Sequence, residues 1–260
     1  MQQKQIAGIT LCKNSTKFDY HAKETILCLL QCTAHVYIAY AESEDNTLEM
    51  IYDLMNAYPN QITTIDVSHR WDTTEGKHRL SVCTNVAIEQ AQKDGYPWVF
   101  YLQSDEIIHP DSYKYLWAVV EMFPTHEGFM TPRLNLWGDS DHALACEQSR
   151  QPCSTNIIRL TKSSQRSIDD GESQQAVCEW LVEEIPIFHT GFIRDKHIMI
   201  GKVKNMQGVV FGMNPDPALD TMDNGWNPWV SHSKDDVLEH GLELPPLIQE
   251  WCMKWDETNK

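Results

Sequence analysis

No stretch of this sequence is apolar for long enough to cross a bilayer. The longest such run, near Ile26 to Leu30, falls far short of the roughly 20 residues a membrane helix needs. Positive charge is scarce too. Lys and Arg number 21 against 37 Asp and Glu, giving a net charge of −16. Such a surface repels phosphate backbones on average, which disfavours broad nucleic-acid binding and leaves only a local basic groove open. It also serves solubility. The start, MQQKQ, is polar and carries no targeting pattern. None of the 8 cysteines forms a CxxC pair. The expectation is reduced, mostly buried thiols in a cytoplasm, with no membrane insertion. Cys146 and Cys153 would bridge a loop or hold zinc, but no second close Cys/His pair stands beside them. Internal repeats and low-complexity tracts are absent.

What is present is an alternation of strand and helix. With 260 residues, 42% of them hydrophobic, the chain can bury a substantial core, in one large α/β domain or two small lobes. Residues 6–12, 35–41, 61–67 and 98–103 read as strands, short and apolar or β-branched. Between them, residues 20–32, 48–58 and 80–91 carry apolar side chains at helical spacing, and Pro110-Asp111 opens a further helix to about Phe123. Strands separated by such helices predict right-handed crossovers and a mainly parallel sheet. Ligands of such sheets sit at the carboxyl ends of the strands. Residues 146–176 are polar and rich in Ser and Gln, and read as a long mobile loop without regular structure. The tail from about Asn214 is rich in Pro, Trp and Asp and ends in the helix-like LIQEWCMKW.

Gln103-Ser104-Asp105-Glu106 follows the wholly apolar strand WVFYL. Acids at such a strand end need a charge partner, solvent or a metal. Asp105 and Glu106 would make a hard oxygen site for Mn²⁺ or Mg²⁺, completed by diphosphate oxygens. A solvated strand end that caps the next helix is the other reading. His189, in Ile187-Phe188-His189-Thr190-Gly191-Phe192, is either a buried, backbone-satisfied histidine or a metal ligand beside Asp105. Glu42 to Thr47 follow the second strand, suited to a ribose or to capping the next helix.

In their order these segments resemble the GT-A glycosyltransferases, in particular the family-two-like branch. The match runs through Thr10-Leu11-Cys12-Lys13-Asn14, then Ser43-x-Asp45-x-Thr47, Asn85, the DxD-type Gln103-Ser104-Asp105, and Phe188 to Asp195 as the histidine segment. It covers roughly residues 5–200. Gln103, Ala41 and Thr84 stand where that family often has Asp, Asp and Arg.

The resemblance implies one α/β GT-A domain over residues 1–260. Residues 1–125 would bind the nucleotide-sugar, and 126–260 the acceptor. It implies a metal-dependent transfer from a nucleoside-diphosphate sugar, a UDP-sugar first, to a hydroxyl. Asp105, His189 and Glu106 would hold the Mn²⁺ or Mg²⁺. Thr10, Asn14, Glu42, Asp45, Asn85, Gln103, Ser104 and Arg194 would bind the donor, with Lys202 or Lys204 adding positive charge. Asp139 or Asp141 would be the base, with Glu183 and Glu184 as rivals. Trp137, Trp180, Trp226 and Trp229 are candidates for stacking on a sugar or base. The acceptor is a glycan, a small molecule, a protein, or a hydroxymethylated base in DNA reached through Lys162, Arg166, Lys202 and Lys204. A nucleotidyltransferase is a second reading, opposed by the lack of glycine in Cys12-Lys13-Asn14-Ser15. A catalytically dead nucleotide-sugar-binding module is a third.

Overall fold

The computed structural model describes residues 5–144, 155–178, 180–210 and 237–259, with Gly212 and Asn214 besides. The first half alternates as its periodicity predicts, with one short helix after the third strand that the periodicity does not mark. In order come β1 (Ile6–Cys12), α1 (Ala22–Cys32), β2 (His35–Tyr40), α2 (Thr47–Ala57), β3 (Ile62–Asp66), α3 (Ser68–Thr73), α4 (His78–Lys93) and β4 (Trp98–Tyr101). β1 lies between β2 and β4, parallel to both, and β3 pairs in parallel with β2. The second half adds β5 (Glu106–Ile108), α5 (Tyr113–Met122), β6 (Gly128–Trp137), β7 (His142–Leu144) and β8 (Thr155–Lys162). β9 (Arg166–Ile168), β10 (Ser173–Gln175), β11 (Ile187–Phe192), α6 (Lys196–Asn205), β12 (Val237–Glu239) and α7 (Pro246–Asn259) complete it.

The main sheet runs β12-β7-β6-β8-β4-β1-β2-β3, and β11 joins it between β5 and β6. It is mixed: parallel from β4 to β3 and between β6 and β11, antiparallel through β8 and β7. Helices flank it, giving the α/β, Rossmann-like arrangement of a GT-A fold.

Alternation along the strands builds two cores. Val36, Ile38, Trp98 and Phe100 face one side with Ile26 and Leu29 of α1. Ala7, Ile9, Tyr37, Val99 and Tyr101 face the other, against Cys83, Ala87 and Ile88 of α4. This is the period of two that an extended chain imposes. Gly8 lets α1 approach closely. A Cβ there would stand 2.9 Å from Thr33 Oγ1 and 3.0 Å from Leu29 Cβ.

The expected loop at 146–176 is largely sheet. Residues 146–154 lie outside the described residues, as do Trp226 and Trp229. Residues 155–162 are β8, wedged between β4 and β6, which fuses the two halves of the chain into one sheet. Asp169 and Gly171, at φ 50° and 75°, turn β9 back onto β10. β8 reads as polar because it carries Arg159 and Thr161, both 0% exposed. Their partners come from elsewhere in the fold.

Candidate active site

The chain leaves β4 through a tight turn. Glu106 N donates to Gln103 O at 3.0 Å, and the Glu106 carboxylate accepts from Gln103 N at 2.9 Å. Ser104 and Asp105 are thereby presented at the carboxyl end of β4. β11 fixes the turn from its far side, because Thr190 donates its N–H and its hydroxyl to Asp105 O, at 3.0 and 3.2 Å.

Asp105 is 5% exposed, and one of its oxygens gathers three nitrogens. Oδ2 lies 3.1 Å from Lys202 Nζ, 3.5 Å from His189 Nε2 and 3.6 Å from Arg194 Nη2. The predicted convergence of Asp105, His189 and Arg194 is therefore present, joined by Lys202 from α6. Burial pushes the Asp105 carboxyl up, but Lys202, His189 and Arg194 together hold it well below the usual carboxylate range. Burial and then Arg194 pull Lys202 down to about 8, against Asp105. Asn135 Oδ1 lies 2.7 Å from His189 Nδ1, which holds the ring with Nε2 turned toward Asp105. The loop after β1 roofs the cluster. Arg194 donates to Phe18 O, and the Tyr20 ring centroid lies 5.0 Å from both Arg194 and Lys202.

Gly191 is required beside this cluster. A Cβ there would stand 2.4 Å from His189 Nε2 and 3.1 Å from Lys202 Nζ. Gly191→Ala should displace the imidazole and lower turnover by about tenfold to a hundredfold through misplacement. Overpacking should cost only about 1–3 kcal/mol of stability. Steady-state rates beside a melting curve check this. Turnover at the wild-type level would show that the imidazole position does not matter.

Glu106 does not join Asp105. It is 0% exposed and points the other way, to Arg159 at 2.6 Å and Arg133 at 3.6 Å. Successive residues of an extended chain face opposite sides, and the turn holds the pair that way. Burial opposes the Arg159 charge, but Glu106 and Tyr101 more than offset it, so its proton is held more tightly than usual. The expected metal role of Glu106 is thus replaced by a structural one. Among the described residues, no group of three or more His, Cys, Asp and Glu side chains is placed to hold a metal. Two ligands, Asp105 and His189, remain, and a fixed ammonium and guanidinium already face the carboxylate. Unit charges about 4 Å apart repel by about 4 kcal/mol at an effective dielectric of about 20, and a divalent ion doubles that. These residues do not fit a divalent cation.

The Ser43-Asp45-Thr47 set buckles the loop after β2 to the loop after β1. Asn14 N donates to Ser43 Oγ at 3.0 Å, Ser15 N to Thr47 Oγ1 at 2.8 Å, and Lys17 N to Asp45 Oδ2 at 2.6 Å. Asn14 Oδ1 accepts from Glu44 N at 2.8 Å, from a left-handed backbone at φ 49° that asparagine tolerates. Burial works against the Asp45 charge, yet the Thr47 hydroxyl and nearby donors hold its carboxyl below the usual range. A cleft of about 460 Å³ opens at the ends of β2 and β3, lined by Tyr40, Glu42, Ser43, Asp45, Asp66 and Ser68. Glu42 and Asp45 therefore face a ligand-sized space.

Other expected donor contacts are redirected. Thr10 is 0% exposed inside β1, where it cannot touch a donor. Both ends of the Asn85 amide bond the Ser167 backbone, at 2.8 and 3.0 Å, which clamps α4 to β9. Gln103 and Ser104 stay half-buried beside Asp105.

Asp139 Oδ1 accepts from Asp141 N and His142 N, both at 3.0 Å, and lies 2.6 Å from His142 Nδ1, which organises the turn after β6. Asp141 is exposed there, as are Glu183 and Glu184 in their own loop. Trp137 is buried against Phe192, at 4.6 Å between centroids, and Trp180 packs on Phe123 at 5.1 Å. Three of the residues expected to line a basic groove lie apart. Lys162 pairs with Trp98 at the amino end of β4, and Arg166 bonds Gln92, while Lys202 lies past the carboxyl end of β4. Tyr20, Asn135, Arg133 and Arg159 were not singled out by the sequence, and no local signal marks them.

No protein-family model and no curated protein matches the chain. Among solved structures it is similar to S. aureus TarS 1-349, at 12% identity and a TM-score of 0.46, over 88% of this chain and 73% of that one. TarS 1-349 in complex with UDP-GlcNAc is similar at 12% identity and a TM-score of 0.49, over 79% and 64%. A putative glucose-1-phosphate thymidylyltransferase from Bacillus anthracis, in complex with a sucrose, follows at 12% identity and a TM-score of 0.38, over 71% of each chain. No helix among the described residues is long and apolar enough to cross a membrane.

Proposed function

We propose that the chain transfers a glycosyl group from a nucleoside-diphosphate sugar, a UDP-sugar first, to a hydroxyl acceptor. One observation carries this reading. A chain of net charge −16 concentrates Lys202 and Arg194 on a single carboxylate at the carboxyl edge of a parallel strand set. That edge is where α/β sheets bind ligands. Fixed positive charge in a sheltered site stabilises a departing diphosphate as its charge develops.

The acidic cleft at β2 and β3 suits the nucleoside, since Glu42, Asp45, Glu49 and Asp66 would turn phosphates away. Two strand spacings, about 10 Å, separate β2 from β4. A nucleoside in the cleft would direct its diphosphate toward Asp105. Asp139 is engaged by its own turn, which leaves the exposed Asp141, with Glu183 and Glu184 as its rivals, as the carboxylate open to an acceptor hydroxyl.

A mass-spectrometric screen of nucleotide sugars tests the reading, repeated with glycans, small hydroxylated molecules, proteins and hydroxymethylated DNA as acceptors. The expected result is consumption of one donor with release of its nucleoside diphosphate. A screen in which no donor is consumed, alone or with any acceptor, would sink it.

A further inference from the structure

We propose that Lys202, backed by Arg194, takes the place of a divalent cation in holding the diphosphate, so that donor binding needs no metal. The inference rests on the nucleotide-sugar reading above and assigns the charge that site uses.

The charge balance carries it first. One carboxylate with two fixed monocations leaves one net positive charge, the same as a divalent ion on one carboxylate. Here the monocations belong to the chain, and both face Asp105 Oδ2, Lys202 at 3.1 Å and Arg194 at 3.6 Å. The second acid that would complete a metal shell, Glu106, is held by Arg159 and Arg133 instead.

Geometry then separates the two cations. The Arg194 side chain is 0% exposed, its Nη1 and Nη2 donate to Phe18 O and Thr190 O, and its buried Nε has no partner among the described residues. It sets the local field but cannot reach a ligand. The Lys202 side chain is 11% exposed. Among the described residues its ammonium donates to Asp105 Oδ2 at 3.1 Å and to Gly191 O at 2.9 Å. An ammonium has three N–H donors, so a third is left for a phosphate oxygen. The Tyr20 and Phe192 rings, with centroids 5.0 and 5.8 Å from Nζ, hold the amine in place while it stays reachable.

The test is calorimetric titration of the metal-stripped chain with UDP, GDP, CDP and inorganic pyrophosphate, in EDTA and again in Mn²⁺. At least one diphosphate should bind in EDTA about as tightly as in Mn²⁺. Lys202→Ala should weaken that binding about tenfold to a hundredfold, while Lys202→Arg should keep most of it. Circular dichroism confirms folding, and Lys202→Met substitutes if the alanine variant fails to fold, since it keeps the stem packed. Binding that appears only with Mn²⁺ overturns the inference and leaves the donor reading standing. Unchanged binding in folded Lys202→Ala also overturns it. Absence of binding by every diphosphate, with and without metal, removes the donor reading as well.

Discussion

Replacing Glu106 by alanine lowers the free energy of unfolding by about 3–5 kcal/mol. The loss comes from the charges left behind. Arg159, with a 0% exposed side chain, meets Glu106 at 2.6 Å, and Arg133 lies at 3.6 Å. Without the carboxylate, Arg159 keeps the Tyr101 ring at 4.5 Å and Gly171 O at 3.1 Å, neither of which carries a full negative charge. Glu172 stands 3.5 Å from Arg133, with a side chain 53% exposed, too solvated to replace a buried anion. The turn after β4 also loses the bond from Gln103 N to the carboxylate. Glu106→Gln separates the two effects, since an amide can still accept from Gln103 N. It should lose nearly as much, because charge is the larger part. Urea unfolding with an unchanged slope reads the difference. A drop in Glu106→Ala of less than about 1 kcal/mol would show that water compensates Arg159. Pairing Glu106→Leu with Arg159→Met should recover much of the loss, as well-packed apolar replacements of buried ion pairs do.

The same neighbours show what a sequence can and cannot reveal. The helices and strands from Ile6 to Tyr101 other than the short α3 were legible because each element's apolar spacing is set by its own geometry. β8 was not, because a central strand that buries Arg159 looks polar until Glu106 arrives, 53 positions away. Asp105 and His189 stand 84 positions apart, and motif order brought them together where local pattern could not. Glu106 faces away from the expected metal site for a simpler reason. Adjacency in sequence does not say which side of the backbone each side chain takes, and the turn sends Asp105 to α6 and Glu106 to β6 and β8. Lys202 was visible only as one lysine among several. Its weight comes from standing beside a buried carboxylate, which a single sequence does not show.

Asp105→Asn should cut transfer about a hundredfold while keeping the fold, since it preserves shape and removes charge. The amide still offers an oxygen to Lys202, but the attraction that fixes the ammonium, at 3.1 Å from Oδ2, is gone. Stability should respond to pH in a definite direction. The Asp105 carboxyl is held below its ordinary value in the folded chain. A depressed pKa means that the unfolded chain takes up the proton first as pH falls. The ionised group therefore adds stability above the ordinary carboxylate range and loses it as pH drops toward the folded value. Wild type should be more stable than Asp105→Asn at neutral pH, and the two melting temperatures should converge in acid. Curves that run parallel from neutral pH into acid would show that the ion cluster adds nothing to the folded state. A transfer rate in Asp105→Asn equal to wild type would remove Asp105 from the mechanism, whatever the curves show.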